Sequence, residues 1–271
     1  MATYIVQFAV LIVFADAGVC CLLNEKQQPA AADGAAPKRK QKFLLERDFA
    51  GRWFALHAAW NLLIVLTSLE DCAATLAEPH TMQKANKDYN MLPAFMSMSL
   101  HLYHCVAPWF ARHLTWEDYM HHFLFAFFLG GFQLTWHWGP GSNWFMFFVT
   151  GFPGGLDYLM LALVKNGKIE RMTEKRWNSR INTWVRAPGC MATAAWTYGG
   201  WAAGNASHIP AAAVAGTAIL SGFNGQYYAR RVVENHAVCK FESAADRKHA
   251  KLSHPHPLIP DSLSDSSLKT K

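Results

Sequence analysis

A chain of 271 residues, 52% hydrophobic and 16% charged, has the length of one ordinary domain. Its six Cys make no disulfide framework, because only Cys72 falls in a connection on the outer side. Its formal net charge of +6 gives no nucleic-acid surface, because no basic helix with interleaved aromatics stands apart from the apolar segments.

Overall hydrophobicity does not demand a membrane, but its clustering does. Apolar residues gather in seven stretches, roughly 2–23, 53–69, 93–110, 119–138, 143–164, 188–204 and 209–228, with charge crowded between them. Each is close to the ~20 residues that cross a bilayer, and the shortest two need flanking residues. The pattern predicts an all-α polytopic membrane protein of about seven transmembrane helices.

Residues 2–23 read as an N-terminal signal-anchor helix with its N-terminus outside. Ala15-Asp16-Ala17 has the small-x-small form of a cleavage site. The run lacks a basic leader, however, and cleavage would turn nearly all the positive charge outward. Cys20 and Cys21 at its inner end read as small apolar fillers or as palmitoylation sites. Residues 24–52 form a flexible basic cytoplasmic linker, in which Pro37-Lys38-Arg39-Lys40-Gln41-Lys42 acts as a topology signal.

From 53 to 235 six further spans alternate. Outer connections fall at 70–92, at the Gly-Pro-Gly-Ser-Asn turn of 139–143, and at 205–208, where Asn205-Ala206-Ser207 makes Asn205 a glycosylation candidate. Inner connections fall at 111–118 and 165–187. In the second of these, Met172, Trp177, Ile181 and Trp184 share one helical face, which suits the membrane interface. Pro153 predicts a kink in the fifth span. Residues 236–271 read as a disordered cytoplasmic tail. With this alternation, every one of the 25 Lys and Arg except Lys84 and Lys87 lies on the inner side, as the positive-inside rule requires.

Ionisable residues inside spans are costly and should face one another. Counted from the inner ends, His57, His104, His121, His122, Asp157 and Asn224 come from five spans to a similar depth, ~10 Å for Asp157. Helical spacing gives polar stripes: Ser97, His101 and His104; His122, Gln133 and His137; Thr150, Gly154 and Asp157; Thr217, Ser221, Asn224 and Tyr228. The stripes predict a shared polar interior. Its alternative use is interhelical hydrogen bonding.

Four segments carry a family resemblance. Leu114-Thr-Trp-Glu-Asp-Tyr-Met-His121-His122 resembles the double-histidine signature of the TLC-domain family, which includes ceramide synthases, translocon-associated proteins and lipid-homeostasis proteins. Asp157-Tyr-Leu-Met-Leu-Ala-Leu-Val-Lys165 is similar to the family's acidic helix. Ile181-Asn-Thr-Trp-Val-Arg186 and Phe223-Asn-Gly-Gln-Tyr-Tyr228 are similar to later segments, so the likeness covers roughly 53–235. Ceramide synthases place a His-Asp pair where this chain has Pro153 and Gly154.

The resemblance implies a six-helix TLC-like barrel after the anchor helix, in the endoplasmic reticulum membrane, with a lumenal N-terminus and a cytoplasmic C-terminus. It implies lipid metabolism: acyl transfer from acyl-CoA to a lipid amine or hydroxyl. His121, His122 and Asp157 would be catalytic, with Asp157 orienting His122 (or His121) as base or nucleophile, and His57, His101, His104, Gln133, Asn224 and Tyr228 would bind substrate. No bound cofactor is expected beyond acyl-CoA as co-substrate. Expected partners are membrane lipids, fatty acyl chains and further copies of the chain, with no nucleic acid. The alternatives are a non-catalytic lipid-binding, sensing or transport protein, and an elongase-like enzyme. The last rests on Leu100-His101-Leu-Tyr-His104-Cys105, which resembles the elongase histidine box with Cys105 in its final place. The histidine spacings do not fit a di-iron hydroxylase, and no metal is assigned.

Overall fold

The computed structural model describes residues 2–24, 49–77, 88–111 and 113–249. The described residues are helices and turns, in seven helices: α1 (Ala2–Asn24), α2 (Phe49–Ala77), α3 (Leu92–Val106), α4 (116–135), α5 (Gly141–Lys165), α6 (171–202) and α7 (Ala211–His249). One turn of helix, Pro108–Ala111, follows α3. Each helix contains the main part of one apolar stretch. By length and composition, α2 (as Gly51–Ala77) and α5 are long and apolar enough to cross a membrane. At 15 residues, α3 is ~22 Å long, short of a ~30 Å hydrocarbon core.

Two expectations about segments need correction. The inner connection 165–187 is mostly helix, because α6 begins at 171 and runs straight into the sixth apolar stretch. The tail does not begin at 236, because α7 continues to His249. Its sequence beyond Tyr228 is rich in Ala, Arg, Glu and Lys, which are good helix formers, and the i,i+4 pair Arg230–Glu234 supports it. The linker 25–48, Lys84, Lys87 and residues 250–271 lie outside the described residues.

Three helices widen locally into π-turns: α4 over His122–Leu129, α5 over Phe147–Gly151 and α6 over Asn182–Arg186. The last two directly precede Pro153 and Pro188. A proline lacks the N–H for the bond to the fourth residue back, and its ring crowds that carbonyl. Wider turns before each proline are the local answer to that conflict.

Close approach fixes the packing. A Cβ on Gly154 or Gly155 would stand 3.0 and 3.3 Å from Asn61, so these glycines let α5 settle against α2. On α7, a Cβ at Gly225 would stand 2.8 Å from the Cβ of Cys190, which explains the tight fit of α7 on α6. The main core joins Leu56, Trp60, Ile64, Leu100, Leu129 and Phe145. Helix α1 docks onto α2 and α3: Ile12 is fully buried, Phe8 meets Trp60 edge-on, and Asp16 is ion-paired with Arg52. Asp16 is therefore a buried anchor of α1 and not the centre of an exposed cleavage site. The N-terminus of α4 carries a capping box, in which Thr115 Oγ1 accepts from the Asp118 N–H and the Asp118 carboxylate accepts from the Thr115 N–H.

Candidate functional site

Six helices enclose one cavity of about 300 Å³, the lower end of ligand-site sizes. His57 from α2, His101 and His104 from α3, and His121 and His122 from α4 all border it. The rings are in mutual contact. Tyr158 stacks on His57 at 4.2 Å, His57 on His104 at 4.5 Å and His104 on Trp53 at 4.3 Å. His101 stands 5.2 Å from His122 and 5.6 Å from His121, centroid to centroid.

Three of these rings have a defined tautomer. Nδ1 of His57 lies 2.6 Å from the Trp53 carbonyl, Nδ1 of His101 lies 2.7 Å from that of Ser97, and Nδ1 of His122 lies 2.5 Å from that of Asp118. A carbonyl only accepts, so each Nδ1 donates. A neutral ring then carries its lone pair on Nε2. His121 differs, because its Nδ1 is 2.7 Å from the Tyr228 hydroxyl, which can donate or accept, so that contact alone does not set its tautomer.

A polar ladder forms the opposite wall. Asn178 Nδ2 donates to Asp157 Oδ1 at 2.7 Å. Asn182 bonds Asn178, Arg186 Nη1 approaches Asn182 Oδ1 at 3.4 Å, and Arg186 Nη2 donates to Asn224 Oδ1 at 3.2 Å. The Arg186 guanidinium also lies 4.4 Å above the Tyr228 ring. Asn224 is fully buried, and among the described residues its Nδ2 and the Nε of Arg186 have no hydrogen-bond partner. At the rim stand Glu117 and Arg231, which are ion-paired and exposed. Arg231, beyond the seventh apolar stretch, has its pKa raised. Partial burial works against its charge, and hydrogen bonds to Glu117 and Tyr227 outweigh that cost.

The cavity thus gathers His57, His101, His104, His121, His122, Asp157, Asn224 and Tyr228. Two expected roles need correction. Asp157 does not orient His122: its carboxylate is bonded to Asn178 of α6, while His122 is held by a carbonyl of its own helix. Gln133 does not join the histidines. It lies eleven residues beyond His122, ~16 Å along the axis, and the intervening π-segment alters the phase that seemed to align them. It borders a separate, smaller cavity at the other end of the bundle. Asn205 is exposed in the turn between α6 and α7.

Sequence reasoning missed Trp53, Asn61, Tyr158 and Asn178. Asn61 was detectable, since it follows His57 by four residues and extends its face. Asn178 had no such signal, because its segment read as an interfacial connection. Among the described residues no group of three His, Cys, Asp or Glu is placed to hold a metal ion. The chain matches no protein-family model, no curated protein and no solved structure. The TLC-domain resemblance therefore rests on its motif residues alone.

Proposed function

We propose that this chain is a multi-pass membrane protein of lipid metabolism, TLC-like in its six helices α2–α7. In this reading it lies in the endoplasmic reticulum membrane with its C-terminus cytoplasmic, and it transfers an acyl group from acyl-CoA to a lipid amine or hydroxyl. The observation that carries the reading is His122. Its Nδ1–H is tied to the Asp118 carbonyl, so its free nitrogen is Nε2, in a cavity shared with the unpartnered donors of Arg186 and Asn224.

The acceptor's O–H or N–H gives its proton to Nε2 of His122 as its oxygen or nitrogen attacks the thioester carbonyl. Charge gathers on the carbonyl oxygen, where Asn224 Nδ2 and Arg186 donate to it. Collapse breaks the C–S bond, and the departing thiolate takes a proton from the imidazolium. Arg231 and the basic inner segments draw the coenzyme A phosphates to the rim.

His122→Ala separates this reading from a structural one when cellular lipids and unfolding are measured together. Loss of a lipid species with unchanged unfolding supports catalysis. Unchanged lipids with lowered stability return His122 to interhelical packing. One observation favours a second reading, in which the cavity holds, senses or passes a lipid without reacting: Asp157 is engaged by Asn178 and is not the partner of His122. That reading requires a lipid to co-purify with His122→Ala as well as with the native chain.

A further inference from the structure

The histidine cavity has a second chamber behind it. A cavity of about 30 Å³, enough for one or two waters, lies at the far end of the bundle by the turns that precede α5 and α7. Gln133, Ser142, Thr193 and Thr217 border it, each less than one-tenth exposed. Phe145, 3% exposed, borders both chambers and is the side chain that divides them.

A polar stripe on α7 passes alongside that division. Thr217 faces the far chamber, while Asn224 and Tyr228 face the histidines. Ser221 lies between them on the same face and is fully buried. From 217 to 228 the stripe covers ~16 Å, and its four side chains stay within ~60° of one another around the helix. Thr217 Oγ1, Ser221 Oγ, Asn224 Nδ2 and Gln133 Oε1 have no hydrogen-bond partner among the described residues. A buried polar atom left unmade is costly, and one such atom is an ordinary imperfection. Four of them, in file and touching two cavities, form a series of sites for water.

We propose that water binds in the far chamber and along the α7 stripe, and that this file carries water and protons between the outer face and the histidine cavity, with Phe145 as its constriction. The cavity would then exchange protons on the side opposite the Glu117–Arg231 rim. The proposal is independent of acyl transfer, since it uses none of the groups assigned to the reacting atoms except Asn224 at its inner end.

The full chain is reconstituted in vesicles that enclose a pH-sensitive dye, a pH step is applied outside, and valinomycin with potassium clamps the potential. Phe145→Ala should speed proton equilibration about tenfold over the native chain, a ~1.4 kcal/mol lower barrier. Adding Ser221→Ala to Phe145→Ala should restore most of the slow rate. Size-exclusion profiles and helical circular dichroism establish that each variant is folded. If folded Phe145→Ala conducts no faster than the native chain, the constriction is refuted. If the double variant conducts as fast as Phe145→Ala, the leak does not run along α7 and the file is refuted. The assay uses neither acyl-CoA nor a lipid acceptor, so failure of the acyl-transfer reading would not touch this one.

Discussion

Arg52→Met should destabilise the bundle more than any other single change at the α1 corner. Arg52 is 1% exposed and Asp16 is 0% exposed. Their contact is two-pronged, with Nε donating to Oδ1 at 3.0 Å and Nη2 donating to Oδ2. Removing the guanidinium leaves a carboxylate with no access to water and with the Tyr103 hydroxyl, at 2.6 Å, as its remaining donor among those described. Breaking one side of a buried pair costs about 3–5 kcal/mol, and the Tyr103 bond places this case near the lower end. Asp16→Asn should also cost stability, by removing the carboxylate that faces the buried guanidinium. In Asp16→Asn/Arg52→Met no charge remains and the Asn carbonyl still accepts from Tyr103. The double variant should therefore lose much less than the sum of the two, with a coupling of about 2–3 kcal/mol. Unfolding in mixed micelles, followed by circular dichroism against the mole fraction of denaturing detergent, measures all four corners of the cycle. Additive single losses, or an Arg52→Met loss under about 1 kcal/mol, would refute the claim that this pair is dry and mutually dependent.

Three further outcomes follow from other places. Gly189→Ala would drive its Cβ to 2.2 Å from the Phe148 ring, so it should cost about 1–3 kcal/mol or prevent folding, and Phe148→Ala in the same chain, which removes the ring atoms it would meet, should recover part of the loss. Thr115→Ala removes the capping box at the start of α4 and should lower stability by about 1 kcal/mol while leaving the helix count unchanged by circular dichroism. In the proposed topology the exposed Asn205 turn is lumenal, so expression in endoplasmic reticulum should give a glycosidase-sensitive mass shift that Asn205→Gln abolishes. A shift instead at a sequon engineered into the turn at 166–170 would invert the orientation.

The seven helices were legible because apolar runs of span length announce themselves locally. Their ends were less so. The stretch at 188–204 is only the second half of α6, since a polar amphipathic segment continues the same helix backwards to 171. The gathering of the histidines was legible for the same reason: counting residues from the end of each apolar run places them at one level. Partners were not, because they join segments distant in sequence. Asp16 and Arg52 are 36 residues apart, and a local pattern at Ala15-Asp16-Ala17 could suggest only a cleavage motif. Asp157 finds Asn178 on the next helix, 21 residues on, where no count from a span end would place an amide inside the bundle. Gln133 failed through phase, since an ideal 3.6-residue period does not survive the π-turns that begin at His122.

The bonding pattern separates two kinds of buried polar residue. Asp16 with Arg52, Asn143 with Asp71, Asn178 with Asp157, and Trp60 with the Met96 carbonyl all cross from one helix to another. Those bonds hold helices together, as polar side chains in a bundle often do. His57, His101 and His122 do something else. Each spends Nδ1 on a carbonyl of its own helix, four residues back, so none of these bonds joins two helices. What these rings give to neighbouring helices is stacked or edge-on ring contact, which an aromatic hydrocarbon would supply without the cost of burying a second nitrogen. A bundle using these positions only for adhesion would gain nothing from imidazole over phenyl. The intrahelical bond does fix the tautomer and leaves Nε2 as the acceptor, which matters only if something in the cavity has a proton to offer. Phenylalanine at 57 should therefore be tolerated for folding, and phenylalanine at 122 should abolish the proposed acyl transfer.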